Sequence, residues 1–188
     1  MTRLAALLLA LPLLAGADTT LRFCAAGSPT TFDPAVTDSG IDHISHLPIF
    51  GTLVETKRGT DELVPGLATR WRVSPDGLAY TFELRRGVPW HSSADFQPTR
   101  PFNADDVLFT FGRLLSRDSA FAKALPAVVP YVVSFGWEKL IRQVEKLGEH
   151  EVRITLTERD AGFLATLTQT FTVMQSAELG AQLLKAGT

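Results

Sequence analysis

The sequence predicts a mixed chain of the α+β class, an α/β mixture in which antiparallel hairpins are interspersed with helices rather than alternating with them. Three observations predict it. Leu78 to Arg85 sets Tyr80, Phe82 and Leu84 against Thr81, Glu83 and Arg85, and Val152, Ile154 and Leu156 alternate with Arg153, Thr155 and Thr157 in the same way. Period two is the mark of a strand with one buried face. Ser74-Pro75-Asp76-Gly77 carries proline and glycine where a tight turn needs them, so Arg70–Ser74 and Leu78–Arg85 pair as a hairpin. Asn103-Ala104-Asp105-Asp106-Val107 opens an amphipathic helix.

Taken in order, Thr20 to Ala25 is a short apolar strand, and the breakers between Gly27 and Pro34 make a loop. From Asp42 to Phe50, the residues Ile41, Ile44, Leu47 and Phe50 recur at helical spacing, with Asp42 a favourable charge at the N-terminus. Pro48 makes this helix short or kinked. Thr52 to Lys57 is a strand. Asn103 caps a helix whose Asp105 and Asp106 meet the dipole and whose Val107, Leu108, Phe111 and Leu115 face the core. Ile141 to Leu147 is ambiguous, because propensity favours helix while Gly148-Glu149-His150 looks like a turn into the strand at Val152. Gly162–Gln169 and Ser176–Lys185 read as helices with a short strand, Phe171–Met174, between them. The most marked internal boundary falls near Gly51.

Candidate chemistry is sparse. His43 and His46 stand three apart on a helix, but zinc sites take three or four protein ligands, and Asp38 and Asp42 complete one only by assumption, so these histidines are read as surface or helix-packing residues. His91 and His150 are isolated. There is no Gly-x-Ser-x-Gly elbow, phosphate loop, dinucleotide fingerprint or His-Glu-x-x-His pair, so no catalytic residue, metal site or cofactor is assigned. Trp71, Tyr80 and Phe82 are core rather than a stacking platform. The Thr37-Asp38-Ser39-Gly40 loop is polar, contains glycine and leads into a helix. Its amides suit a ligand's backbone or carboxylate, and equally suit a plain turn with a helix cap.

The ends and the composition set the compartment. A charged start at Arg3, an apolar run Leu4–Ala15 and the exit Ala15-Gly16-Ala17 form a secretory signal over residues 1–17, too short to span a bilayer. Cys24 follows Arg22-Phe23, which is no lipid-acceptor context. Without Arg3 the basic residues number 17 against 20 acidic, a formal −3, which leaves no field for nucleic acid. A single cysteine in an exported chain is either a buried thiol or one whose partner lies elsewhere.

Several motifs in this order resemble the extracellular solute-binding proteins of family five, specifically the dipeptide-binding branch. They are Cys24, Gly27-Ser28-Pro29, Phe32-Asp33-Pro34, Pro65-Gly66-Leu67-Ala68, Trp71, Ser74-Pro75-Asp76-Gly77, Trp90-His91, Phe96-Gln97-Pro98-Thr99-Arg100 and Asn103–Val107. The likeness runs from Leu21 to the last residue and settles Ile141–Leu147 as half of a second hairpin. It implies a partial periplasmic-binding-protein type II fold. Residues 18–50 would start the first lobe, 51–170 would form an inserted strand-rich subdomain, and 171–188 would begin the return to the first lobe, with the second lobe absent. On this resemblance the chain is an N-terminal fragment, and Cys24 would pair with a cysteine that the sequence does not contain.

The same resemblance implies function: delivery of short peptides, in the periplasm, to the permease subunits of an ABC transporter, without enzyme activity. Thr37, Asp38, Ser39 and Gly40 match the first-lobe loop that lines the ligand cleft and are the candidate ligand contacts. Haem, glutathione or nickel complexes are the alternative cargoes within the family, and an exported hydrolase is the alternative from another class.

Overall fold

The computed structural model of the chain describes residues 24–37, 39–115, 120, 123 and 130–187. Its strands are β1 (Val54–Thr56), β2 (Leu63–Pro65), β3 (Ala68–Val73), β4 (Ala79–Leu84), β5 (Ile141–Gly148) and β6 (Glu151–Leu156). Its helices are α1 (Gly40–His46), α2 (Ala104–Leu115), α3 (Pro130–Ser134), α4 (Trp137–Leu140), α5 (Phe163–Thr166) and α6 (Ala177–Ala186), with a 3₁₀ turn at Thr170–Thr172. Strands β1 and β2 form a small ribbon. The other four make one antiparallel sheet in the order β3-β4-β6-β5.

The β3–β4 hairpin forms where alternation and turn residues place it, and β6 forms where its own alternation does. Gly77 takes φ 71°, Ser74 accepts from the Gly77 N–H at 2.8 Å and donates its own N–H to Ala79 at 2.9 Å, which closes the turn between β3 and β4. Register sets Tyr80 opposite Ile154 and Phe82 opposite Val152, and these four side chains are buried on one face. Tyr80 and Phe82 are thus core, and Trp71 packs half-buried against them. The other face carries Arg70 and Arg72 against Glu83 at 2.6 and 3.1 Å, and Arg72 against Glu151 at 3.0 Å. Exposed pairs of this kind add at most about 1 kcal/mol each. The segment Ile141–Gly148 is a strand, as the resemblance implies and helix propensity does not.

Helix α2 packs on the buried face against β5 and β6. Its Phe111 stacks on Trp137 with ring centroids 5.9 Å apart, and Trp137 meets Phe163 at 5.9 Å and Phe171 at 5.2 Å. Trp137, with 1% of its surface exposed, is the hub of the core. The Asn103 side chain accepts from the Asp105 N–H at 2.9 Å, while Asp106 accepts from the Asn103 N–H at 3.0 Å, a reciprocal cap at the helix start.

Some expectations are corrected. Residues 1–17 and Thr20–Phe23 lie outside the described residues, and Cys24 and Ala25 belong to no strand. Cys24 is exposed rather than buried. Helix α1 ends at His46, ahead of Pro48, as expected, yet it buries Asp42, Ser45 and His46 while Ile44 and Leu47 stay exposed. Phe171–Met174 is not a strand: it is part 3₁₀ turn and part extended, and its link to the ribbon segment is a Met174 N–H donated to Gly51 at 2.8 Å. Gly162–Gln169 contracts to the single turn α5, with the 3₁₀ turn following. Two elements unexpected from sequence, β2 and α3, complete the ribbon and the wall beside α1.

Candidate functional site

The Thr37–Gly40 loop is held from below by one carboxylate. Asp42, fully buried, accepts from the Thr30 N–H at 2.6 Å, the Thr30 hydroxyl at 2.7 Å and the Thr37 hydroxyl at 2.7 Å. The hydroxyls of Thr37 and Thr30 stabilise the charged form and bring its pKa from an ordinary 3.8 down to about 2. The charge read from sequence as a complement to the helix dipole is therefore an anchor for two loop segments. Thr37 is itself buried; its hydroxyl accepts from the Ser39 N–H at 3.0 Å while donating to Asp42. Its side chain is committed to holding the loop. Ser39, half-buried, precedes α1 without a side-chain capping bond, and Gly40 is exposed. Asp38 lies outside the described residues.

His43 joins the loop to the aromatic wall. Its Nε2 lies 3.2 Å from the Thr37 carbonyl, an atom that only accepts, so Nε2 carries the proton and Nδ1 is left to accept from the Thr170 hydroxyl. The ring meets Tyr131 edge-on at 5.3 Å, and Tyr131 stacks on Phe171 at 5.3 Å. His46 donates from Nε2 to the Thr31 carbonyl at 3.1 Å. The two histidines therefore serve the packing of α1, and no cluster of three or more metal-ligating side chains exists among the described residues. Tyr131 was not singled out in the sequence because Pro130-Tyr131-Val132-Val133 follows no period that marks an element. His91 is exposed and distant in role from this group.

One ion pair bolts the loop region to α2, and a second ties the start of α2 to α6. Arg113 on α2 grips Asp33 with both nitrogens, at 3.0 and 2.7 Å, and also reaches the Gln175 side-chain oxygen. Arg100 grips Asp106 at 2.7 and 2.9 Å, and Asp106 also accepts from the Ala177 N–H that opens α6, at 2.9 Å. The hydrogen bond to Asp106 raises the Arg100 pKa above its ordinary value. A rigid frame therefore presents one polar loop and an adjoining half-buried tyrosine, with the donor nitrogens of His43 and His46 taken by backbone carbonyls. Such an arrangement suits recognition by a preformed polar loop.

Comparison with known proteins gives this geometry its relatives. Residues 62–185 match the model of the bacterial extracellular solute-binding proteins, family 5 middle region. The chain is 50% identical over 168 residues to the di/tripeptide-binding protein 1 of Pseudomonas aeruginosa, a match covering 89% of this chain and 31% of that protein. It is 40% identical over 171 residues to the heme-binding protein A of Haemophilus influenzae, covering 90% and 31%. A solved structure of the dipeptide-binding protein of Pseudoalteromonas in complex with Met-Leu superposes with a TM-score of 0.82 at 38% identity, covering 87% of this chain and 32% of that one. The chain thus spans about a third of the length of the relatives it matches. With the family model covering residues 62–185 and the fold shared at that level, the chain belongs to the bacterial extracellular solute-binding proteins of family 5.

Proposed function

We propose that this chain forms the first-lobe portion of a periplasmic protein that captures di- and tripeptides and presents them to the permease subunits of an ABC importer. The observation that carries the reading is its 50% identity to a di/tripeptide-binding protein over 168 residues, a stretch that includes the anchored Thr37–Gly40 loop. Residues 18–50 and 171–188 would be the base of that lobe and 51–170 its inserted subdomain; the Arg113–Asp33 pair across them supports one rigid unit. In the complete receptor the ligand would be enclosed between this lobe and a second one, with closure about a hinge recognised by the transporter.

Within the site, Asp42 keeps the loop preorganised, so the ligand meets a loop already in place and little ordering entropy is lost on binding. Ser39 and Gly40 face the ligand, Thr37 holds the loop, and the Tyr131 ring beside His43 walls one side. Contacts to one lobe amount to a few hydrogen bonds, each worth about 0.5–1.5 kcal/mol net. Residues 18–188 by themselves therefore bind dipeptides more weakly than micromolar.

The test is a chimera in which residues 24–187 replace the matching stretch of the Pseudomonas di/tripeptide-binding protein 1, titrated calorimetrically with a dipeptide mixture. Binding is expected, weakened about three- to tenfold by Ser39→Ala or Tyr131→Ala, each removing a contact worth about one hydrogen bond or ring contact. A folded chimera that ignores di- and tripeptides sinks the reading. Uptake of haem in their place transfers it to the cargo that the name of the Haemophilus relative gives.

A further inference from the structure

A concave feature lies apart from the loop. A cavity of about 600 Å³ opens between α6 and the segments 32–34, 49–51 and 88–91, and neither Thr37, Ser39 nor Gly40 lines it. Its walls are apolar, with Phe50, Phe102 and Met174 among them. Two lining residues carry buried donors without an acceptor among the described residues, Trp90 at Nε1 and Gln175 at Nε2. The orientation of Gln175 is fixed: its oxygen faces Arg113, which only donates, so its amide nitrogen is the unmatched end. Asp33, the acid in the lining, already accepts both guanidinium nitrogens of Arg113. What the cavity lacks is therefore neutral acceptors, set in apolar surroundings.

The rim points the same way. Phe32, Ile49 and Leu183 stand 57%, 41% and 37% exposed around this opening, an apolar rim. The matched stretch is only 31% of the length of the Pseudomonas relative, so most of that protein's chain has its seat outside the part shared here. Extended polypeptide supplies both requirements, carbonyl acceptors along its length and apolar side chains on one face. A buried donor left unmatched is costly, and so is an open apolar rim.

We propose that this cavity is the seat of an extended apolar segment from the remainder of the receptor, the part beyond the stretch shared with the Pseudomonas relative, whose backbone carbonyls accept from Trp90 Nε1 and Gln175 Nε2. The inference rests on family membership and on the cavity, not on which ligand the receptor carries. It makes Trp90, which the sequence showed only as half of a Trp-His motif, a docking residue for the remainder of the receptor.

The experiment combines the 188-residue chain, ¹⁵N-labelled, with the remainder of the Pseudomonas di/tripeptide-binding protein 1 added as a separate polypeptide. The Trp90 indole resonance is assigned by its loss in Trp90→Phe. Association should shift that indole proton and slow its exchange at least about tenfold, and displace 1-anilinonaphthalene-8-sulfonate from the chain. Trp90→Phe and Gln175→Leu should each weaken association about three- to tenfold, the range of one hydrogen bond, and Phe32→Ser on the exposed rim should weaken it without touching the core. Arg72→Ala, on the opposite sheet face, should change nothing. Association that leaves the indole unchanged overturns the proposal, as does no association up to about 100 µM. An indole shift that depends on the concentration of the chain alone overturns it in favour of a second copy.

Discussion

Replacing Asp106 by alanine should cost more than any other single carboxylate substitution on α2. The side chain is fully buried and accepts four hydrogen bonds: Arg100 at 2.7 and 2.9 Å, the Asn103 N–H at 3.0 Å and the Ala177 N–H at 2.9 Å. Removing one member of a buried pair typically costs about 3–5 kcal/mol, because the other charge is left uncompensated. Arg100 is a quarter exposed, so water recovers part of that and puts the pair near the lower end. The two freed backbone N–H groups add about 1 kcal/mol between them where helix ends reach solvent. About 3–4 kcal/mol is then expected out of a total stability of about 5–15 kcal/mol for a domain. With a urea slope near 2 kcal/mol/M, the midpoint should fall by about 1.5–2 M, followed by circular dichroism and tryptophan fluorescence together. Asp105→Ala is the internal comparison: its partner Lys146 sits at 2.7 Å, but both side chains are well exposed, so the loss should stay below about 1 kcal/mol. A double-mutant cycle with Arg100→Ala should show coupling of about 1–3 kcal/mol. Equal losses for Asp105→Ala and Asp106→Ala, or strictly additive losses in the cycle, refute the reasoning.

Asp42 gives a pH prediction whose sign follows from its lowered pKa. The stability it contributes is complete above the ordinary carboxylate value of 3.8 and fades as pH falls toward about 2. Asp42→Asn should therefore flatten the loss of stability between about pH 4 and 2; a slope parallel to that of the parent disproves the anchor. Two glycines should respond oppositely to alanine. At Gly180 a new Cβ would run into the Phe109 ring, so Gly180→Ala should lower the melting temperature despite better helix propensity, whereas Gly112 on α2 has open space and Gly112→Ala should gain about 0.5–1 kcal/mol. The same thermal direction for both would contradict the packing of α6 on α2. Exposed Cys24 should give a disulfide-linked dimer under oxidant on non-reducing electrophoresis, absent in Cys24→Ser; a wholly monomeric oxidised chain speaks against it.

What the sequence determined is local. The β3–β4 hairpin rests on side-chain alternation and turn residues within a few positions of each other, alternation marks β6 while β5 was indicated only by the family resemblance, and the cap of α2 is complete between Asn103 and Asp106. The motif order was enough to indicate the family. The tertiary structure decided the rest, because the deciding partners are distant in the chain. Helical spacing located α1 but not its buried face: Asp42 turns inward because Thr30, 12 residues before it, and Thr37 meet its charge, which leaves Ile44 and Leu47 outside. Phe171–Met174 has strand-forming residues yet no ladder among the described residues, since a strand needs a neighbour and propensity does not provide one. Arg113 finds Asp33 across 80 residues, and Tyr131 reaches the candidate loop only through His43. A buried charge is tolerated only beside its partners, and which partners arrive is settled when the chain closes on itself, not by the spacing of residues along it.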